Sequence, residues 1–211
     1  MNNLDFFHIV ETTRSMRRFK PDPVPKELIW RVLETGTKAA SGQNSQPWSF
    51  LVLTQPESKS FVKERYRQAL LSSLGDRRPS EGDNSRGARS MRAAIHLAEH
   101  MHEVPVLLFV CGLRDWPFAV IEEDRVGQAP PSYGSTYPCI QNILLACRAL
   151  GLGATLTTLH QFYEQDLHEK FQIPDNYGVV AMLPIGYPTG NFGPVRRKPV
   201  HEVTHFERWT E

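Results

Sequence analysis

Three short runs of this chain are apolar at nearly every position: "WSFLVL" (Trp48–Leu53), "VPVLLFV" (Val104–Val110) and "YGVVAMLPIGY" (Tyr177–Tyr187). A strand with one wet face alternates polar and apolar residues, whereas a run without alternation needs cover on both faces. The longest apolar stretch, "VPVLLFVCGL", contains a proline and is too short to span a bilayer. The runs therefore read as buried strands, and the intervening segments have to cover them.

Those segments read mostly as helices. Leu4–Thr13 is a short one, after which Pro21, Pro23 and Pro25 force an extended stretch. Pro25 opens a second helix with Leu28, Ile29, Val32 and Leu33 as its stripe, ending near Lys38 to Ala40. Further helices are expected over Glu57–Leu71, Met91–Met101 and Glu164–Phe171. The strongest is Thr136–Leu150, capped by Ser135 or Thr136, ended by Gly151 and apolar on more than one side. "GATLTTL" after it reads as a strand. Helices cluster before the first strand, which indicates one α+β domain over residues 1–211. Two stretches break the pattern. Residues 75–90 are polar and glycine-rich, a loop or the join between two helices. Residues 112–135 are long and irregular, as lids and binding loops are. The tail from 188 to 211 carries Phe192, Val195, Val200, Phe206 and Trp209, which a partner subunit could bury.

Charge narrows the function. A formal net charge of +1 argues against a nucleic-acid binder, so any anion site must be local. The three cysteines, Cys111, Cys139 and Cys147, form no CxxC and read as reduced, buried thiols. The acidic, interrupted start is no secretory signal, and a cytoplasmic protein is expected.

Two basic clusters lie far apart. "TRSMRRF" (Thr13–Phe19) places Arg14 and Arg17 three residues apart, on one face of a helical turn, beside Ser15. Guanidinium pairs match phosphate oxygens; a solvated basic surface is the competing reading. "GPVRRKPV" (Gly193–Val200) holds Arg196, Arg197 and Lys198 between prolines. Two such clusters in a nearly neutral chain point to a shared anion. Between them, "AASGQNSQPW" (Ala39–Trp48) offers small Ser41 and Gly42, which let a planar ligand approach, and Asn44 and Gln46, whose amides suit a heteroaromatic edge. A polar turn explains it equally well. Thr157 and Thr158 present hydroxyls at a strand end. "ALGLGAT" lacks dinucleotide-fingerprint spacing and follows a helix instead of opening one. His96 with His100, and His201 with His205, have no evident third ligand, so no metal is expected. No GxSxG or P-loop is present.

Taken in order, "TRSMRRFKPDPVPKELIWRVLETGTKAASGQNSQPWSFLVL", "YGSTYPCIQNILLACRALGLGATLTT", "VAMLPIGYPTGNFGPVRRKPV" and the terminal "FERW" resemble the nitroreductase family of flavin enzymes. The resemblance implies an α+β nitroreductase-like fold, with a mixed, mostly antiparallel sheet flanked by helices, in an intertwined homodimer. FMN would lie at the subunit interface, with residues 188–211 wrapping the partner and Pro138–Leu150 as the interface helix. Thr13, Arg14, Ser15, Met16 and Arg17 would form the first flavin contact, with Arg14 at the phosphate and Arg17 toward the ribityl and pyrimidine edge. Ser41, Gly42, Asn44 and Gln46 would come from the other subunit. Thr157, Thr158 and Leu159 would line the far edge of the flavin, and Arg197, beside Arg196, would complete the phosphate clamp. Ala40 departs from the proline common in the family, and "TTLH" from its common acidic-glycine pair.

The resemblance implies NADH or NADPH as the hydride donor and a nitroaromatic or quinone as acceptor, in ping-pong order, with Trp116, Phe118 and Tyr133 shaping the acceptor pocket. Two alternatives keep the same fold: a specialised flavin enzyme, such as a reductive dehalogenase, or a protein that sequesters FMN without turnover.

Overall fold

The computed structural model describes residues 5–75, 77–114 and 131–209. Its helices are α1 (Phe6–Thr12), α2 (Lys26–Gly36), α3 (Pro56–Leu74), α4 (Arg86–Glu99), α5 (Tyr133–Ala149) and α6 (Glu164–Phe171), and its strands are β1 (Trp48–Leu53), β2 (Val106–Leu113), β3 (Gly153–Ala154) and β4 (Tyr177–Gly186). The strands form one sheet in the order β1-β2-β4-β3, and all three pairings are antiparallel.

Central β2 and β4 carry the unbroken apolar runs because both of their faces are covered. Val106, Leu108 and Val110 pack with α2 and α5. Alternate residues Leu107, Phe109 and Cys111 pack with α3, α4 and α6. The two-residue side-chain period of a strand thus divides one sequence between two helical layers. The register slips between Val110, opposite Ala181, and Cys111, opposite Val179. The extra residue, Val180, falls on the same side as Ala181, while Val179 and Met182 fill the other core, as a bulge requires.

On the first layer α2 meets α5 at a glycine. A Cβ on Gly36 would come within 2.7 Å of Ile143 Cγ1 and 3.2 Å of Cys139 Sγ, so only a bare backbone permits this approach. On the second layer Arg114 Nη2 meets Glu164 Oε1 at 2.8 Å, and the same oxygen accepts from the Val179 backbone N–H at 2.9 Å, holding α6 against β4.

Several expectations change. β1 lies at the sheet edge and is only half-buried, because one flank has no neighbouring strand. Residues 86–90, read as loop, form the first turn of α4: Ser85 caps it, its hydroxyl accepting from the Ala88 N–H at 3.2 Å. The polarity of "GDNSRGARS" masked this cap. α5 starts at Tyr133 with Ser132 as its cap residue, ahead of the expected Ser135 or Thr136. The strand expected over 153–159 shrinks to Gly153–Ala154 plus one bridge from Thr157 to Met182. The tail packs first on its own chain: the Thr189 N–H donates to Arg18 O and the Val195 N–H to Glu11 O. Val200, Phe206 and Trp209 beyond it are exposed.

Candidate cofactor cleft

β3 is the other edge of the sheet, and the residues after α1 run along it. The Met16 N–H donates to Ala154 O at 2.9 Å, the Lys20 N–H donates to Tyr187 O at 2.8 Å, and Phe19 bridges Pro188. This approach needs Gly153, where a Cβ would meet Met16 Cβ at 2.9 Å and Pro188 Cβ at 3.0 Å. The proline-rich arm then turns back along the same segment. The two basic clusters, about 180 residues apart in sequence, therefore flank one open cleft.

Thr13, Arg14, Ser15, Met16, Arg17 and Arg18 form one wall of the cleft, and residues 189–197 of the arm, including Arg196 and Arg197, form another. Gln141, Leu144 and Arg148 of α5 and Arg86, Arg89, Ser90 and Ala93 of α4 also line it. Ala154, Thr155 and Leu156 lie along the sheet edge. Eight arginines line the cleft, and among the described residues no carboxylate does.

Arg148 and Thr155 were not singled out by the sequence. Arg148 looks like a basic residue at a helix C-terminus, where the macrodipole favours a cation. It is instead buried: its Nε donates to Thr12 Oγ1 at 2.9 Å, its Nη2 lies 3.3 Å from His8 Nε2, and its guanidinium sits over the Phe192 ring. None of the three partners is a carboxylate, so none neutralises it. Thr155 is 2% exposed and its hydroxyl has no hydrogen-bond partner among the described residues. A buried, unsatisfied hydroxyl costs about 1–3 kcal/mol, which a ligand in the cleft would recover.

Thr157, Thr158 and Leu159 sit just behind the cleft and do not line it. Thr157 shares a 3.1 Å hydrogen bond with the buried Tyr66 hydroxyl. Burial raises the Tyr66 phenol above its ordinary value, while the Thr157 bond and the Arg17 charge pull it back. On α4, burial and then the Arg18 charge hold His96 below its usual range.

Ser41, Gly42, Asn44 and Gln46 stand apart from the cleft of their own chain. Gln43, Asn44 and Gln46 all have positive φ, between 48° and 56°. Three non-glycine residues in that region cost about 1 kcal/mol or more each. The Gln46 N–H donates to Ser41 Oγ, and the Gly42 N–H to Ser135 Oγ of α5, which holds the loop in shape. Tyr133 opens α5 with its ring 5.9 Å from that of Tyr137, away from the cleft. Trp116 and Phe118 lie outside the described residues. His96 and His100 stack on each other at 4.0 Å, and no group of metal ligands occurs among the described residues. Nor is any helix among them long and apolar enough to cross a membrane.

The residues of the cleft fit FMN. Guanidinium groups and the unsatisfied Thr155 hydroxyl suit a phosphate and a ribityl chain, and half-buried Leu144 and Leu156 add apolar lining for a flat ring.

Comparison with known proteins agrees with this geometry. The family model described as "Nitroreductase family" matches residues 10–187. A Bacillus subtilis protein named as an NAD(P)H nitroreductase is 24% identical over 92% of this chain and 90% of its own length. An iodotyrosine deiodinase from Thermotoga neapolitana is 25% identical over 93% of this chain and 94% of its own. In fold, the chain is similar to a crystal structure of iodotyrosine deiodinase bound to FMN and 3-iodo-L-tyrosine, with a TM-score of 0.74 at 21% identity, covering 96% of this chain and 99% of that one.

Proposed function

The chain belongs to the nitroreductase family, and from that premise we propose that it is an FMN-dependent oxidoreductase that takes a hydride from NADH or NADPH and reduces a small planar acceptor, such as a nitroaromatic or a quinone. The observation that carries the reading is the convergence of Arg14, Arg17, Arg196 and Arg197 on one cleft without a carboxylate among its described lining residues. FMN, when bound, supplies the hydride chemistry. The chain's part is to bind and orient. Arg14 and Arg197 would hold the phosphate, whose charge is about −2 at neutral pH. The Thr155 hydroxyl would meet the ribityl chain. Arg17 would set a fixed positive charge against the ring edge, where it stabilises electron density that the ring gains. No nucleophile or strong acid is needed.

The protein would work as a homodimer. Phe6, Phe7, Trp30, Phe206 and Trp209 are each more than half exposed, and a second copy is the surface that would cover them. The loop Ser41–Gln46, held in a strained shape away from its own cleft, would then serve the partner's flavin.

The likeness to deiodinases supports a second reading, in which the acceptor is a halogenated phenol that loses halide on reduction. One experiment separates these readings: the absorption spectrum of the purified protein under anaerobic conditions, before and after a nicotinamide donor, then after nitrofurazone, a quinone or 3-iodotyrosine. A flavin band that bleaches with the donor and returns with one of the acceptors is the expected result and names the acceptor class. A band that persists would show sequestration without turnover, and protein that takes up no added FMN would overturn the reading.

A further inference from the structure

FMN does not account for all the positive charge in the cleft. Its phosphate carries about −2, while eight arginines line the walls and none of them is in an ion pair with a described carboxylate. Arg86 and Arg89 stand farthest from the reading above. They lie on α4, not on the loop or the arm, and with Ser90 and Ala93 they fall at i, i+3, i+4 and i+7, which is one helical face. That face looks into the cleft. Both arginines are in the first turn of the helix, where a cation opposes the positive end of the macrodipole at a cost of about 0.3–1 kcal/mol each. Ser85 caps the turn, yet no acidic residue occupies it. An arrangement that is unfavourable by itself becomes favourable once an anion sits between the two guanidinium groups.

The sequence offers five arginines in this region, and the structure separates them. Arg77 turns back to the Leu74 and Ser73 carbonyls, and Arg92 donates to Asp83 O. Arg78 is not among the cleft-lining residues. Arg89 spends one Nη1 bond on Asn84 O, leaving the rest of its fork, and Arg86 makes no described side-chain hydrogen bond. Serine at position 90, on the same face, adds a hydroxyl donor of the kind that accompanies arginine at phosphate sites.

Resting on the oxidoreductase reading, we propose that Arg86 and Arg89, with Ser90, form a second phosphate subsite that receives the 2′-phosphate of the hydride donor, so that the protein uses NADPH in preference to NADH. The small Ala93 side chain leaves room on this face, and the subsite stands on α4, a different element from the loop and the arm that carry Arg14 and Arg197, so the donor's phosphate and that of FMN would draw on separate guanidinium groups. Charge-assisted hydrogen bonds from two guanidinium groups support a discrimination of about tenfold or more.

The test is calorimetric binding of 2′,5′-ADP, 3′,5′-ADP and 5′-ADP to protein supplied with FMN, with the Arg86→Gln/Arg89→Gln double variant alongside. The proposal expects 2′,5′-ADP to bind at least about tenfold tighter than the other two, and the double variant to lose that margin while keeping its FMN content and melting no lower than the wild type. In turnover the same variant loses its NADPH advantage through KM, with kcat little changed. Equal binding of the three nucleotides, equal binding of the 2′ and 3′ phosphates alone, or a margin that survives in the double variant would overturn the subsite. Because this binding is read without turnover, its failure is distinct from that of the oxidoreductase reading, which fails if the protein takes up no flavin.

Discussion

The Arg148 guanidinium carbon lies 4.2 Å from the centroid of the Phe192 ring, so the long helix α5 grips the C-terminal arm through a buried cation and an aromatic face. The same side chain donates to Thr12, the residue that ends α1 and precedes the arginine loop. One residue thus ties together the helix, the loop and the arm that bound the cleft. A desolvated cation–π contact is worth about 1–2 kcal/mol. Arg148→Ala and Phe192→Ala are each expected to destabilise the protein, and a double-mutant cycle in urea should give a coupling of about 1–2 kcal/mol. Additive effects would show that the contact contributes nothing of its own.

Loss of either proposed phosphate arginine should weaken FMN without unfolding the protein, because Arg14 and Arg197 are exposed and make no structural ion pair among the described residues. Arg14→Ala and Arg197→Ala are each expected to raise the FMN dissociation constant about ten- to a hundredfold. Flavin fluorescence quenching measures it. Wild-type affinity should also fall with added salt.

Gly153 permits the arginine loop and the arm to meet β3. Gly153→Ala would drive its methyl into Met16 and Pro188. Overpacking of this kind costs about 1–3 kcal/mol. Both melting temperature and FMN affinity should drop, since the displaced Met16 lies inside the loop proposed to bind the flavin. Melting scans and flavin titration of the variant give the two values.

His160 should make the protein acid-sensitive. It is completely buried, with Nε2 2.8 Å from Val179 O. Burial holds its pKa below the ordinary 6.5, partly offset by the Val179 bond and the Glu164 charge. The unfolded chain therefore binds a proton first as the pH falls. Stability is full above about pH 6.5, and declines below it by up to about 1.4 kcal/mol per pH unit until the folded imidazole also protonates. Urea unfolding across pH 5 to 8 should show this slope, and His160→Gln should remove its contribution.

The three thiols should be silent in the native state. Cys111, Cys139 and Cys147 are all buried, and burial pushes each up to about 12. Since the thiolate is the reactive form, a maleimide or disulfide reagent should label none of them in native protein and all three in denaturant. Rapid native labelling would contradict this packing.

The sequence by itself determined the layers and the two basic clusters that the fold brings to one cleft. The runs Val106–Val110 and Tyr177–Gly186 had to be central strands, because only a sheet covered on both faces accommodates an unbroken apolar segment. α6 and the core of α5 were legible from 3.6-residue periodicity, and "TRSMRRF" with "VRRKP" from charge that a nearly neutral chain has little reason to concentrate. Tertiary structure decided what local pattern does not encode. Whether β1 was central or at an edge depended on which strands came to neighbour it. The residues after Ala154 could have continued as a strand, yet only one bridge forms, since Pro184, in register opposite Thr155, has no N–H to donate. Arg148 became a buried staple and not a solvated helix end because Thr12, His8 and Phe192 arrive from positions up to 140 residues away. Arg86 and Arg89 are two of many arginines in the sequence, and only the packing of α4 beside the sheet edge turns them toward the cleft. Periodicity and charge are properties of neighbours along the chain, whereas a cleft is made of neighbours in space, and the close approach at Gly153 that assembles this one has no local signature.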